Sequence, residues 1–181
     1  MAFTSDLDQI TRAAAGDAAA VRAIVNRYSP GVLSLAARML GDRAEAEDVT
    51  QETFIRAWKA LPGWEPRAKF STWLHRVALN LCYDRLRKRR EVLSDELPDR
   101  ADAALGPQDA LDQAQRVQAV EDAIGALPER QSAALTLCAL QGHSQTEAAE
   151  IMDVSVEALE SLLARARRTL RGQLLDGRNA S

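Results

Sequence analysis

The chain has 181 residues, 23 Lys and Arg against 26 Asp and Glu, a formal net charge of −3 and two cysteines. With 46% hydrophobic and 27% charged residues its composition is globular, which excludes a chain disordered throughout, and no apolar run approaches the roughly 18 residues of a membrane span. Isolated Cys82 and Cys138 exclude a disulfide scaffold, and an N-terminus without signal-peptide pattern predicts a cytoplasmic, reducing setting with no membrane insertion.

In chain order, Asp17 caps a helix expected to end near Pro30, and Gly31 to Met39 forms the next, stopped at Gly41. Asp42-Arg-Ala-Glu45 resembles a capping box that opens a helix to about Ala60. Leu61 to Pro66 reads as a loop, and Ser71 as the cap of a long helix to about Arg90. Residues 91–112 hold one basic and seven acidic side chains, with Pro98, Gly106 and Pro107, and read as a flexible acidic linker. Fully extended, such a linker spans at most about 70 Å. Helices follow near 109–125 and from Pro128, the latter ended by Gln141-Gly142. Ser144-Gln-Thr-Glu147 is a second capping box, for a helix to Met152, and Ser155 caps a last helix to about Gly172. The fold class is all-α: two helical domains, 1–90 and 113–175, with a tail at 176–181.

The linker also resolves the charge. Residues 1–90 carry a net +5, the linker −6 and the remainder −2, so the total conceals a basic N-terminal half. Three helix faces stand out. On helix 43–60, Phe54, Trp58 and Leu61 form a core stripe, while Asp48, Gln51, Glu52, Ile55 and Lys59 share the outer face. An apolar Ile in an acidic, amide-rich patch suits protein docking, although lone surface apolar residues are also ordinary. On helix 71–90, Leu74, Val77, Ala78 and Leu81 point inward. Trp73, Arg76, Asn80, Tyr83, Asp84 and Arg87 lie within an arc of about 100° on the other side. A basic run, Arg85 with Arg87 to Arg90, ends the helix, and Trp64 stands in the preceding loop. Rings beside amide and guanidinium groups suit single-stranded nucleic acid, where bases stack and cations hold phosphates. Half-buried packing aromatics and a solvated basic helix end are the plainer reading.

The last two helices have helix-turn-helix length. Val156, Leu159, Leu163, Ala166 and Leu170 form the inner arc of the final helix, and Glu157, Ser161, Ala164, Arg165, Arg168 and Arg171 the outer one. Small and basic outer residues suit a major groove, or equally a solvated bundle face. His75 and His143 lie far apart in sequence without metal-ligand spacing, and no phosphate loop or nucleophile motif appears, so neither an enzyme nor a cofactor is expected. His75 reads as a helix-surface residue and His143 as a turn residue. Cys82 and Cys138 read as packing residues.

Taken together, Asp48-Val-Thr-Gln-Glu-Thr-Phe-Ile-Arg-Ala-Trp58, Phe70-Ser-Thr-Trp-Leu-His-Arg-Val-Ala-Leu-Asn80 and the basic helix end resemble region 2 of bacterial extracytoplasmic-function (ECF) sigma factors. Leu127-Pro-Glu-Arg-Gln131 through Arg171 resembles their region 4. The resemblance implies a dissociable subunit that directs core RNA polymerase to promoters and helps to open them. It implies that Asp48, Gln51, Glu52, Ile55 and Lys59 dock on the polymerase. It implies that Trp64, Lys69, Phe70, Trp73, Arg76, Asn80, Tyr83, Asp84 and Arg87 read and melt the −10 element, binding its single strand with one base flipped into a pocket. Duplex −35 DNA falls to Ser144, Thr146, Glu157, Glu160, Ser161, Ala164, Arg165 and Arg168. Family members often carry basic residues near the start of the recognition helix, where this chain has Glu157-Ala-Leu-Glu-Ser-Leu162. An anti-sigma partner is a further implication. A stand-alone helix-turn-helix regulator and a helical adaptor are the other readings; the first leaves the 73–87 face and the acidic-patch helix without a role, and the second leaves the basic run and the recognition-helix face to chance.

Overall fold

Residues 2–63, 68–95 and 123–179 are described by the structure, a computed structural model, apart from the side chains of 2–6, 93–95 and 174–179. Several helix starts can be traced to a side-chain oxygen that accepts from free N–H groups. Helix α1 spans Ala2–Ala14, and α2, Ala18–Leu40, is capped by Asp17, whose carboxylate accepts from Ala19 and Ala20 N–H. Arg12 forks onto the other oxygen of Asp17, and together these donors hold its carboxyl below the usual range. Helix α2 ends at Gly41, whose φ of 65° lets its N–H reach the Ala37 carbonyl.

The expected break at Pro30 does not occur. Pro30 removes one backbone donor, but it faces solvent, and Ile24, Val32, Leu35 and Ala36 on either side are all buried in the same core. Burial of those side chains outweighs the single lost hydrogen bond.

Helix α3, Arg43–Ala60, starts at Asp42, which accepts from Glu45 N–H. Ala46, Val49, Thr53, Phe54 and Ala57 point inward, and the buried Thr53 hydroxyl donates to the Val49 carbonyl. A short 3-10 turn at Leu61–Gly63 follows. Helix α4, Phe70–Asp95, begins at Phe70, where Ser71 was expected as the cap, and continues through the first residues of the expected linker. The rest of that linker, Trp64 and most of the expected 109–125 helix lie outside the described residues; 123–125 are helical.

Helix α5, Glu129–Leu135, runs into a π-helical stretch, Thr136–Leu140, closed by Gly142 at φ 72°. Helix α6, Gln145–Met152, has the complete capping box of Ser144 and Glu147. Asp153 turns the chain in the left-handed region, φ 54°, into α7, Val156–Asn179. There the Ser155 hydroxyl accepts from Ala158 N–H. No strand occurs among the described residues.

Helices α1 to α4 pack into one bundle around Ile24, Leu35, Val49, Leu74 and Leu79. Helices α5 to α7 pack around Leu137, Ile151, Leu159 and Leu163. The second unit lies against the first, with α6 on α4 and α5 on α2. No described helix is long and apolar enough to cross a membrane.

Candidate protein and nucleic-acid interfaces

The outer face of α3 is built as its spacing predicts. Asp48, Gln51, Ile55 and Lys59 are exposed, Ile55 at 39%, while Glu52 is half-buried and pairs with Arg56 at 2.9 Å. The sequence did not show what lies beside them. Val25, Ser29 and Leu33 of α2, spaced four apart, close a groove of about 580 Å³ against Asp48, Gln51, Phe54, Ile55 and Trp58. Its floor is apolar and its rim carries Glu47 and Asp48. The 25-29-33 spacing was the available signal, masked by the expected helix break at Pro30.

The α4 face is more divided. Asn80 and Arg87 are exposed, and Asp84, half-buried, pairs with Arg87 at 3.1 Å. Trp73 is half-buried, and its ring lies 5.8 Å from that of Phe70. Phe70, expected at the DNA surface, is instead a core residue, 3% exposed and edge-on to Tyr28. Its position at the helix start turns the ring inward under α2. Tyr83 is also half-buried; burial pushes its phenol up to about 12, with Arg130 and Glu129 of the second unit nearby.

The basic run contains a structural residue that composition could not single out. Arg89 donates to the Leu40 carbonyl at 2.8 Å and pairs with Glu45 at 2.8 Å, tying the end of α4 to the end of α2 and the start of α3. A guanidinium on the last carbonyls of α2 also complements the helix dipole. Arg90 pairs with Glu129 across the two units at 3.2 Å.

Residues named from α4 and its approach thus meet the second unit. Lys69 pairs with Glu147, which lowers the Glu147 carboxyl and raises the Lys69 ammonium. Arg76 donates to the Glu150 carbonyl in the last turn of α6. The Gln141 amide donates to the Gly31 carbonyl at 2.8 Å. His75, expected on the surface, is 6% exposed, and its ring meets that of His143 edge-on, centroids 5.0 Å apart. A helix face that periodicity marks as outward is here covered by another part of the chain.

On α7 the expected outer residues all face solvent: Glu157, Glu160, Ser161, Ala164, Arg165 and Arg168. Leu159, Leu163 and Ala166 beneath them are buried. Ser144 and Thr146 at the start of α6 are exposed too. Glu157 has a local task, since its own N–H and the Ser155 hydroxyl hold its carboxyl below the usual range at the helix start. Among the described residues no His, Cys, Asp and Glu cluster suits a metal. Cys82 is fully buried, and desolvation pushes its thiol up to about 12.

Comparison with known proteins agrees with this geometry. A sigma-70 region 2 family model matches residues 24–92, and a sigma-70 region 4 model matches 117–170. The ECF RNA polymerase sigma factor SigW of Bacillus subtilis (strain 168) is 34% identical over 173 residues, covering 89% of this chain and 92% of SigW. Among solved structures, CnrH in complex with the cytosolic domain of CnrY superposes with a TM-score of 0.70 at 32% identity, covering 95% of this chain and 97% of that one. The sigma factor RpoE in complex with the anti-sigma factor NepR from Bartonella quintana gives 0.68 at 26% identity, covering 84% and 95%. The chain belongs to the ECF sigma factors of RNA polymerase.

Proposed function

We propose that this sigma factor docks on core RNA polymerase through the α3 groove, reads and melts the −10 element with α4 and the segment before it, and reads the −35 duplex with α7. The observation that carries the reading is the α3 groove, an apolar floor under exposed Ile55 and Gln51 with an acidic rim. Such a surface fits a protein helix, and a regulator that acted on DNA alone would have no use for it. The outer face of α7 supports the −35 assignment, with small Ser161 and Ala164 beside Arg165 and Arg168. Glu160 suits a cytosine amino group better than a phosphate. Asn80 and Trp73 suit unstacked bases, whose release costs a few kcal/mol that stacking and pairing offset.

The working boundaries are a region 2 unit over 1–90, a tether over 91–112 and a region 4 unit over 113–175. The chain acts in the cytoplasm as an initiation factor and performs no catalysis itself. An anti-sigma protein is a further partner, by analogy with the solved complexes of CnrH and RpoE. The test is core binding. Gln51→Ala with Ile55→Glu places a charge in the groove lining and is expected to weaken affinity for purified core polymerase at least tenfold, with far-UV circular dichroism unchanged. Wild-type affinity in that variant would refute the docking assignment.

A further inference from the structure

We propose that His75 and His143 form a proton-sensitive latch between the two helical units, closed when both imidazoles are neutral and released when they are charged. The latch sits where three elements converge. His75 lies on α4, buried, with Nδ1 hydrogen-bonded to the Ser71 carbonyl at 2.8 Å, so this nitrogen carries the proton of the neutral ring. Its Nε2 faces the backbone of Gly31 on α2, so close that a methyl group at Gly31 would lie 3.2 Å away. His143 arrives from the turn before α6 and sets its ring edge-on against His75. The neighbouring Gln141 fastens the same turn to the Gly31 carbonyl.

The charges around the pair offer it little compensation. From α2 the contact is the Gly31 backbone, and from the π-helical end it is the neutral Gln141 amide. From α6, Glu147 favours a charge on His143, but its carboxylate is already engaged by Lys69, Ser144 N–H and the Ser144 hydroxyl. Glu150 presents its backbone carbonyl, which Arg76 occupies. Lys69, ahead of α4, opposes protonation of His143. A second proton would set two cations about 5 Å apart inside a seam, where repulsion is weakly screened.

Burial lowers the affinity of both rings for protons in the closed form. In an open form each would return to about the ordinary histidine value of 6.5. The neutral-state preference for closure is therefore fully present above that value and is lost as the pH falls below it toward the depressed closed-state values. Opening would break the Lys69–Glu147 pair and the Arg76 bond to the Glu150 carbonyl. Its consequence for promoter access rests on the assignment of Lys69 and Arg76 to DNA, but the opening itself does not.

The test is small-angle X-ray scattering of the full chain at fixed ionic strength from pH 8.0 to 5.5, with helicity followed in parallel. The wild-type radius of gyration is expected to rise at constant helicity as the closed-to-open ratio falls. His143→Gln, which keeps an uncharged polar side chain and leaves only His75 to titrate, is expected to weaken the response. A wild-type radius that does not move, a rise accompanied by loss of helix, or an unchanged response in His143→Gln would each overturn the latch. No DNA or polymerase enters the measurement, so a failed latch and a failed promoter assignment are distinguishable.

Discussion

Cys82 shows how a single residue's chemistry is set by its position. It was expected as a packing residue, and full burial on α4 makes it so: the thiolate is disfavoured until about pH 12. Cys138 is half-buried, and desolvation raises its thiol too. In the folded chain at pH 8, Cys138 is therefore expected to react with an aromatic disulfide reagent at least tenfold faster than Cys82. Equal rates, resolved by mass spectrometry of the modified peptides, would contradict the packing described. At the same scale, Arg89 and Arg90 were indistinguishable in sequence. One closes the helical end of α2 and the other bridges the two units, because only the return of α2 and α3 brings Leu40 and Glu45 to one of them.

At the scale of the element, most local rules held where the partner was also local; Ser71 is the exception, lying inside a helix that already begins at Phe70. Asp17, Ser144 and Ser155 cap the helices they were expected to cap, and Gly41 and Gly142 stop the chain where expected. Pro30 was misleading because its cost is local while the gain that overrides it, burial of Ile24 and Leu35 against α3 and α4, is not. The outer face of α7 was legible because its inner stripe is continuous and its partners, α5 and α6, come from the adjoining sequence. Arg165→Ala with Arg168→Ala removes two cations from that face. The pair is expected to weaken holoenzyme binding to duplex −35 DNA by about 1–3 kcal/mol and to reduce the salt dependence, measured by fluorescence anisotropy across salt concentrations. An unchanged salt slope would place both side chains away from the DNA.

At the scale of the whole molecule, the described conformation covers part of the surface read as −10 contacts. Lys69 and Arg76 are held by α6, Phe70 is in the core, and Tyr83 is half-buried beside α5. Asn80 remains exposed, and Trp73 half so. Trp73→Ala with Asn80→Ala is accordingly expected to leave core binding within about twofold while abolishing promoter opening, read by permanganate reactivity of unpaired thymines. Normal opening would refute the melting assignment. The sequence by itself determined the helical class, most helix ends, the three amphipathic faces and the family, because caps, periodicity and charge blocks depend on residues within a turn or two of one another. Only the tertiary structure decided that α2 completes the groove beside Ile55, that Arg89 is a strut, that Phe70 and His75 are buried, and that His75 meets His143. Each of these contacts joins residues tens of positions apart. Helical periodicity states which way a side chain points, and only packing decides whether solvent or another helix stands there.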